Sequence, residues 1–296
     1  MDINPFVREA EEQQYPPGTL FVVATPIGNL ADITVRALAV LTRVDRVAAE
    51  DTRMARRLLG HYGISKPCIS LHRHNERSSS HTVIAALRLG ERIAYISDAG
   101  TPAISDPGAK LVASAREAGM HVVPLPGASA AICALSAAGL EEAGFYFLGF
   151  LPSKAAQAER VLRELVIGPA HLVLYEAPQR VLETIELLCK VFGAHRRLVI
   201  ARELTKFFES IKSIRLGEAL KWMREDADRQ RGEFVLIVEA QENPPDALER
   251  ARPVLAKLLD RLPLSEAVAL AVELTGLPRN GLYGLALDLK RDVHPD

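Results

Sequence analysis

The chain has 296 residues, 48% of them hydrophobic, 25% charged and 5% aromatic, with a mean hydropathy of +0.07. That balance excludes collagenous, disordered and disulfide-scaffold classes, and at about 150 residues per domain the length suits two domains, or one with an appendage. The 36 Lys and Arg residues oppose 37 Asp and Glu for a net charge of −1, so any basic surface must be local.

Residues 1–17 are acidic, lack the basic and apolar regions of a signal peptide, and read as a disordered lead-in ending at Pro16-Pro17-Gly18. From residue 18 to 125, apolar runs of strand length (19–24, 44–49, 92–97 and 120–124) alternate with helical patterns at 32–41, 52–61, 81–89 and 108–118. Such alternation predicts a parallel sheet with crossover helices. The uncharged run 122–140 has the length of a membrane span. Pro124, Pro126 and Gly127 break it into a strand, a turn and a buried helix, so no membrane partner is expected.

The pattern resumes over 126–240, with strands at 145–150, 171–176, 197–202 and 233–240 and helices near 155–165, 179–192 and 217–224. A polar, proline-containing linker at 241–246 opens a helical extension through residue 296, with helices at 247–259, 265–274 and 281–290. This tail reads either as a helix-turn-helix or as a small helical cap. Its seven basic and nine acidic residues argue against its being the main phosphate-binding surface. Cys68, Cys133 and Cys189 lie far apart without metal-ligand spacing and read as buried reduced thiols of a cytosolic protein. His72 and His74 lie in a polar loop, and no metal is expected.

Loop chemistry is more informative. Neither G-x-G-x-x-G nor a P-loop occurs, which disfavours a nucleotide held on either fingerprint. After the first strand, Thr25-Pro26-Ile27-Gly28-Asn29 forms a rigid polar turn where open α/β sheets place ligands. After the strand at 92–97, Ser97-Asp98-Ala99-Gly100-Thr101-Pro102-Ala103-Ile104-Ser105-Asp106-Pro107-Gly108 is too rich in Gly, Pro and Asp for regular structure. It predicts a shaped loop whose backbone approaches a ligand, with Asp98 facing a cationic or hydroxylated group. Pro126-Gly127-Ala128-Ser129-Ala130 follows the next strand, and the two loops would line one crevice.

These stretches, ATPIGN at 24–29, EDTR at 50–53, SDAGTPAISDPG at 97–108, PGASA at 126–130, YEAPQR at 175–180 and ARELTK at 201–206, resemble the bacterial ribosomal RNA small subunit methyltransferase I family of the tetrapyrrole methylase superfamily. The resemblance runs from about Gly18 to Ala240, and the tail around Leu277-Pro278-Arg279 resembles that family's C-terminal extension. It implies two α/β lobes with a cofactor cleft between them, a small helical domain, and a homodimer. The implied reaction is S-adenosylmethionine-dependent methylation of a cytidine ribose 2′-hydroxyl in 16S rRNA at the decoding centre, on free RNA or on the small ribosomal subunit. DNA is not an expected partner. Two other readings stay open: methylation of a tetrapyrrole intermediate, and a non-catalytic RNA-binding ribosome-assembly protein. Tetrapyrrole-methylating relatives usually carry a Gly-Asp-Pro loop where this chain has Ser97-Asp98-Ala99-Gly100, a departure that favours the RNA branch.

Carried over by position, the cofactor residues are Pro26, Asp98, Ala99, Gly100, Thr101, Pro102, Ile104, Ser129 and Ala130. The second lobe adds Tyr175, Glu176, Gly232, Glu233 and Phe234. A ribose hydroxyl needs help losing its proton. Asp51, Glu203 and Lys206, at strand ends, are candidates for that work, unless they only form ion pairs, the carboxylates with Arg53 or Arg202. Between Leu30 and Arg92, eleven basic residues face six acidic ones, an excess of +5. Arg53, Arg56 and Arg57 share one helical face there, and with Arg73 and Arg77 they are the candidate RNA contacts. With few aromatics nearby, phosphate contact and shape are expected to matter more than base stacking.

Overall fold

The computed structural model describes residues 4–72, 75–141, 143–165, 170–240 and 247–293. Two compact units divide the described residues: one holds both α/β lobes up to Glu239, and the other holds the C-terminal helices.

The chain opens with helix α1 (Asn4–Glu12), where sequence composition predicts disorder. Tertiary contacts overrule composition here. Buried Ala10 accepts a hydrogen bond from the Tyr15 hydroxyl at 2.5 Å, the Tyr15 ring packs edge-on against Phe21 and lies under the Arg43 guanidinium, and Arg92 Nε donates to the Tyr15 carbonyl at 2.6 Å.

In the first lobe β1 (Thr19–Val23), α2 (Val35–Arg43), β2 (Arg46–Ala49), α3 (Thr52–His61), β3 (Cys68–Ser70), α4 (Glu76–Arg88), β4 (Ile93–Ile96), α5 (Ala109–Glu117) and β5 (His121–Leu125) follow in order. The sheet runs β3-β2-β4-β1-β5 and is parallel throughout, as the alternation predicts. Its central strands are buried on both faces, which is why they read as continuous apolar runs. Val40, Leu41, Leu59 and Ile96 pack on one face, and Leu20, Leu87, Ile93 and Leu111 on the other. Strand β3 is too short for its pattern to show in the sequence.

The second lobe begins with α6 (Ala130–Ala137) and continues through β6 (Gly144–Phe150), α7 (Ala155–Glu164), β7 (Ala170–Glu176), α8 (Val181–Phe192), β8 (Arg197–Arg202), β9 (Ser210–Arg215), α9 (Leu216–Arg224) and β10 (Phe234–Val238). Its sheet order is β6-β7-β10-β8-β9. Here the structure corrects the expectation of a second parallel repeat. Only β6 and β7 pair in parallel; β10 inserts antiparallel between β7 and β8, and β9 returns antiparallel beside β8. The consequence is local. The carboxyl ends of β7 and β8 and the amino end of β10 meet at one edge, with Phe234 in register with both Glu176 and Arg202.

The run 122–140 divides into β5 and α6, and among the described residues no helix is long and apolar enough to cross a membrane. The three cysteines are free and only half-buried. In the C-terminal unit, α10 (Ala247–Leu259), α11 (Leu264–Thr275) and α12 (Arg279–Val293) close on Ala251, Leu255, Val268, Ala271, Leu282 and Ala286.

Candidate functional site

The carboxyl edge of the parallel sheet is assembled by backbone hydrogen bonds between loops. Thr25, just past β1, exchanges two hydrogen bonds with Gly100 in the loop after β4, and its hydroxyl donates to the Ser97 carbonyl at 3.1 Å. Thr101 Oγ1 donates to the Ala128 carbonyl at 3.0 Å, tying in the turn after β5. The far end of the 97–108 loop is anchored by Glu76, which is 6% exposed: its Oε1 accepts from the Gly108 and Lys110 N–H groups at 2.9 and 3.1 Å. Beneath it the buried Tyr95 hydroxyl donates to the Pro107 carbonyl, and burial pushes that phenol well above its ordinary range. Ala103 and Ser105 hold φ of 65° and 68°, left-handed values that L-residues adopt at a cost where surrounding structure dictates them.

The second lobe supplies the opposite wall. Tyr175, at the end of β7, accepts a hydrogen bond from the Ala131 N–H at 3.2 Å and bonds to the Ser129 side chain, and its ring meets Phe147 and Phe150 edge-on. Glu203 and Thr205, after β8, form a second left-handed pair, with φ of 52° and 65°. Glu203 N–H donates to the Glu233 carbonyl at 2.9 Å, and the Glu233 N–H returns to Glu203 Oε1 at 2.9 Å. Lys206 Nζ lies 2.8 Å from Glu203 Oε1 and 2.7 Å from Glu233 Oε2. Burial alone would raise the Glu203 carboxyl, but the Lys206 ammonium and the Glu233 N–H outweigh it and hold the group below its usual range. Burial likewise works against the Lys206 charge, and its two carboxylates prevail, raising the ammonium above its usual value.

Between these walls lie two cavities. The first, of about 460 Å³, is lined by eleven of the predicted cofactor residues: Asp98, Ala99, Gly100, Thr101, Ile104, Ser129, Ala130, Tyr175, Glu176, Glu233 and Phe234. Ile27, Glu50, Ser105, Asp106, Phe150, Ala177, Pro178, Leu204 and Val235 complete it. Glu50, Asp106 and Pro178 stand inside the motifs quoted above. Phe150 carried no signal, because nothing in a single sequence says which edge strand reaches a cleft. The second cavity, of about 540 Å³, lies beside it and shares Ile27, Asp98, Ala99 and Glu233 as common wall.

Three predicted cofactor residues lie elsewhere. Pro26 lines the second cavity, and Pro102 is buried beneath its loop. Gly232 lines neither; it sits at φ 93°, and a side chain there would collide with Glu203 Cγ at 2.4 Å, so its glycine makes room for the Glu203 carboxylate. Glu176 reaches the wall with its side chain wholly buried, the carboxylate accepting from Ala177 N–H at 2.8 Å and Thr184 Oγ1 at 2.6 Å.

The catalytic candidates separate. Asp51 is the N-cap of α3, accepting from Arg53 N–H at 2.8 Å, and its carboxylate is gripped by the Arg53 guanidinium at 2.7 Å. Those hydrogen bonds pull its pKa to about 2, and it lines neither cavity. Glu203 pairs with Lys206, while Arg202 is spent on Ser210 and on the carbonyls of Asp228, Arg231 and Phe208. Lys206 lines the second cavity. Among the arginines, Arg53, Arg56 and Arg57 are exposed along α3 and Arg57 borders the second cavity; Arg77 is exposed on α4, and Arg73 falls outside the described residues. Arg53 is committed to Asp51. Sequence reading also passed over Phe207 and Phe208, exposed in the turn that carries Lys206.

Comparison with known proteins places this arrangement. Residues 19–220 match the family model described as Tetrapyrrole (Corrin/Porphyrin) Methylases, and residues 244–290 match the RsmI C-terminal HTH domain. The chain is 50% identical over 276 residues to a ribosomal RNA small subunit methyltransferase I of Escherichia coli O157:H7, covering 92% of this chain and 95% of that one. It is 51% identical over 273 residues to the protein of the same description from Pseudomonas aeruginosa, covering 91% and 97%. Among solved structures, uroporphyrin-III-C-methyltransferase from Thermus thermophilus aligns with a TM-score of 0.53 at 20% identity, covering 75% of this chain and 94% of that one. Cobalt precorrin-4 methyltransferase aligns with 0.57 at 15%, covering 77% and 98%; at such identities the likeness is one of fold. Two lobes walled by these loops, a matched methylase body and a matched helical tail make the chain a member of the ribosomal RNA small subunit methyltransferase I family within the tetrapyrrole methylases.

Proposed function

We propose that this methyltransferase transfers the methyl group of S-adenosylmethionine to the 2′-hydroxyl of a cytidine ribose in 16S rRNA at the decoding centre, acting as a cytoplasmic homodimer. The carrying observation is the first cavity, whose walls come from the small-residue loops of one lobe and the β7, β8 and β10 ends of the other. Its volume of about 460 Å³ lies in the range of about 300–1,000 Å³ usual for cofactor sites. Its chemistry suits the donor. Glu50, Asp98, Asp106 and Glu233 bring acidic groups to a sulfonium and an ammonium, Ala99, Gly100 and Ala130 let a flat base lie against main chain, and Ile104, Tyr175 and Phe234 supply apolar walls. When bound, the donor supplies an electrophilic methyl carbon. The chain's part is alignment, which can supply about 7–11 kcal/mol of a displacement barrier.

The RNA substrate is favoured over a tetrapyrrole by relatives of about half identity described as ribosomal RNA small subunit methyltransferase I. The exposed arginines of α3 add phosphate-binding capacity in a chain of net charge −1. The test is incubation with labelled S-adenosylmethionine and small subunits from a strain lacking the modification. Label is expected at one cytidine ribose; transfer to no RNA would overturn the proposal.

A further inference from the structure

The second cavity is not explained by a donor site. At about 540 Å³ it has the size of a small-molecule pocket, and its composition is unlike a packing defect. Leu30 and Met54 line it yet remain 39% and 46% exposed, an apolar concave surface left open to solvent. Its shape is braced: the Tyr62 hydroxyl donates to the Leu30 carbonyl at 2.5 Å, fixing the wall after β1 against the end of α3. Arg57 and His61 stand on the α3 side, and Lys206 and Glu233 close it from the second lobe. An apolar wall, an arginine at one side and a carboxylate–ammonium pair at the other suit a base, a phosphate and a sugar hydroxyl.

Resting on the methyl-transfer reading above, we propose that this cavity receives the target nucleoside, unstacked from its RNA, and that Glu233 takes the ribose hydroxyl proton. The common wall carries the inference. A displacement at carbon needs the attacking oxygen opposite the departing sulfur, so the acceptor enters through the wall shared with the donor cavity. Two side chains with carboxylates stand there, Asp98 and Glu233. Asp98 Oδ1 is turned to the Asp51 N–H at 3.3 Å. Glu233 has a side chain 79% exposed; Lys206 holds its Oε2, and Oε1 has no protein donor among the described residues. In the step the hydroxyl oxygen bonds to the methyl carbon, the carbon–sulfur bond breaks with its electron pair left on sulfur, and the proton passes to Glu233. A sulfonium, an alcohol and a carboxylate become a thioether, a methyl ether and a carboxylic acid. Glu203 is a positioning residue: it holds Lys206 and the Glu233 N–H on a single oxygen.

The experiment uses the full-length protein with S-adenosylhomocysteine as probe of the first cavity and unmodified small subunits as acceptor. Met54→Trp, which fills the second cavity, is expected to keep its melting temperature and S-adenosylhomocysteine affinity while losing RNA methylation. Glu233→Gln is expected to lose about 100-fold in single-turnover rate with donor and acceptor both saturating, where any change in binding no longer limits the rate. Undiminished methylation by Met54→Trp, or a wild-type single-turnover rate in Glu233→Gln, would overturn the proposal. A wild-type enzyme inactive on all RNA would instead overturn the reading on which it rests.

Discussion

Thr25 and Gly100 exchange backbone hydrogen bonds at 2.9 and 3.0 Å, closing a one-pair antiparallel bridge between the turn after β1 and the loop after β4. Gly100 sits at φ 79°, and a Cβ there would come within 3.3 Å of Ile27 Cγ2. Gly100→Ala is therefore expected to cost about 1–2 kcal/mol from the left-handed backbone. Because that strain displaces cavity wall, the affinity for S-adenosylhomocysteine should fall by roughly tenfold, about 1.4 kcal/mol. Thermal melting and titration calorimetry measure the two effects, and an unchanged affinity would separate the bridge from the ligand.

Glu76 is far from both cavities in sequence, yet it caps the start of α5 and thereby pins the end of the 97–108 loop. Glu76→Ala leaves the Gly108 N–H, among buried residues, without its acceptor, at a cost of about 1–3 kcal/mol. Urea denaturation should show that loss. Glu76→Gln keeps an acceptor oxygen and should recover most of it.

Asp51 is expected to give a stability signal without a catalytic one. Its carboxyl titrates near 2 in the folded chain against 3.8 for an unperturbed aspartate, because Arg53 bonds the charged form. A depressed carboxyl stabilises the fold above its unfolded pKa and loses that contribution as pH falls through the folded value. Asp51→Asn should thus narrow the difference in melting temperature between pH 5 and pH 2. Its methylation rate at pH 7 should stay far from the roughly 100-fold loss that removal of a general base brings.

Arg56 and Arg57 project from α3, and neither has an ion-pair partner within 4.0 Å among the described residues, unlike Arg53. Reversing both to Glu should weaken binding of single-stranded rRNA fragments. The slope of log affinity against log salt should become shallower by about 1 to 2, since each lost phosphate contact contributes about 0.7. An unchanged slope would make this face merely solvated.

The lobes, the first sheet and most of the lining of the first cavity were legible in the chain because each is a local matter. Buried parallel strands must be continuously apolar, crossover helices must be amphipathic, and a loop crowded with Gly, Pro and Asp can only be irregular. SDAGTPAISDPG and PGASA therefore marked shaped loops, and residues of both line the first cavity. Other features depended on partners distant in sequence. Strand β9 alternates weakly on a sheet edge, and α1 is held by Tyr15, Phe21 and Arg92 rather than by its composition.

The same division runs through the chemistry. Asp51, Glu203 and Lys206 were equivalent as charged residues at strand ends, and only the fold distinguished an N-cap, a carboxylate bonded to Lys206 and to the Glu233 N–H, and an ammonium shared by two carboxylates. What composition, periodicity and loop residues settle is which segments must be buried and which must be shaped, since solvent acts on each segment separately. The insertion of β10 between β7 and β8 brings Glu233 beside Lys206 and places it on the wall between two cavities. That pairing of distant strands is decided by the packing of the whole lobe, because a carboxylate's role follows from its neighbours in space and not from its neighbours along the chain.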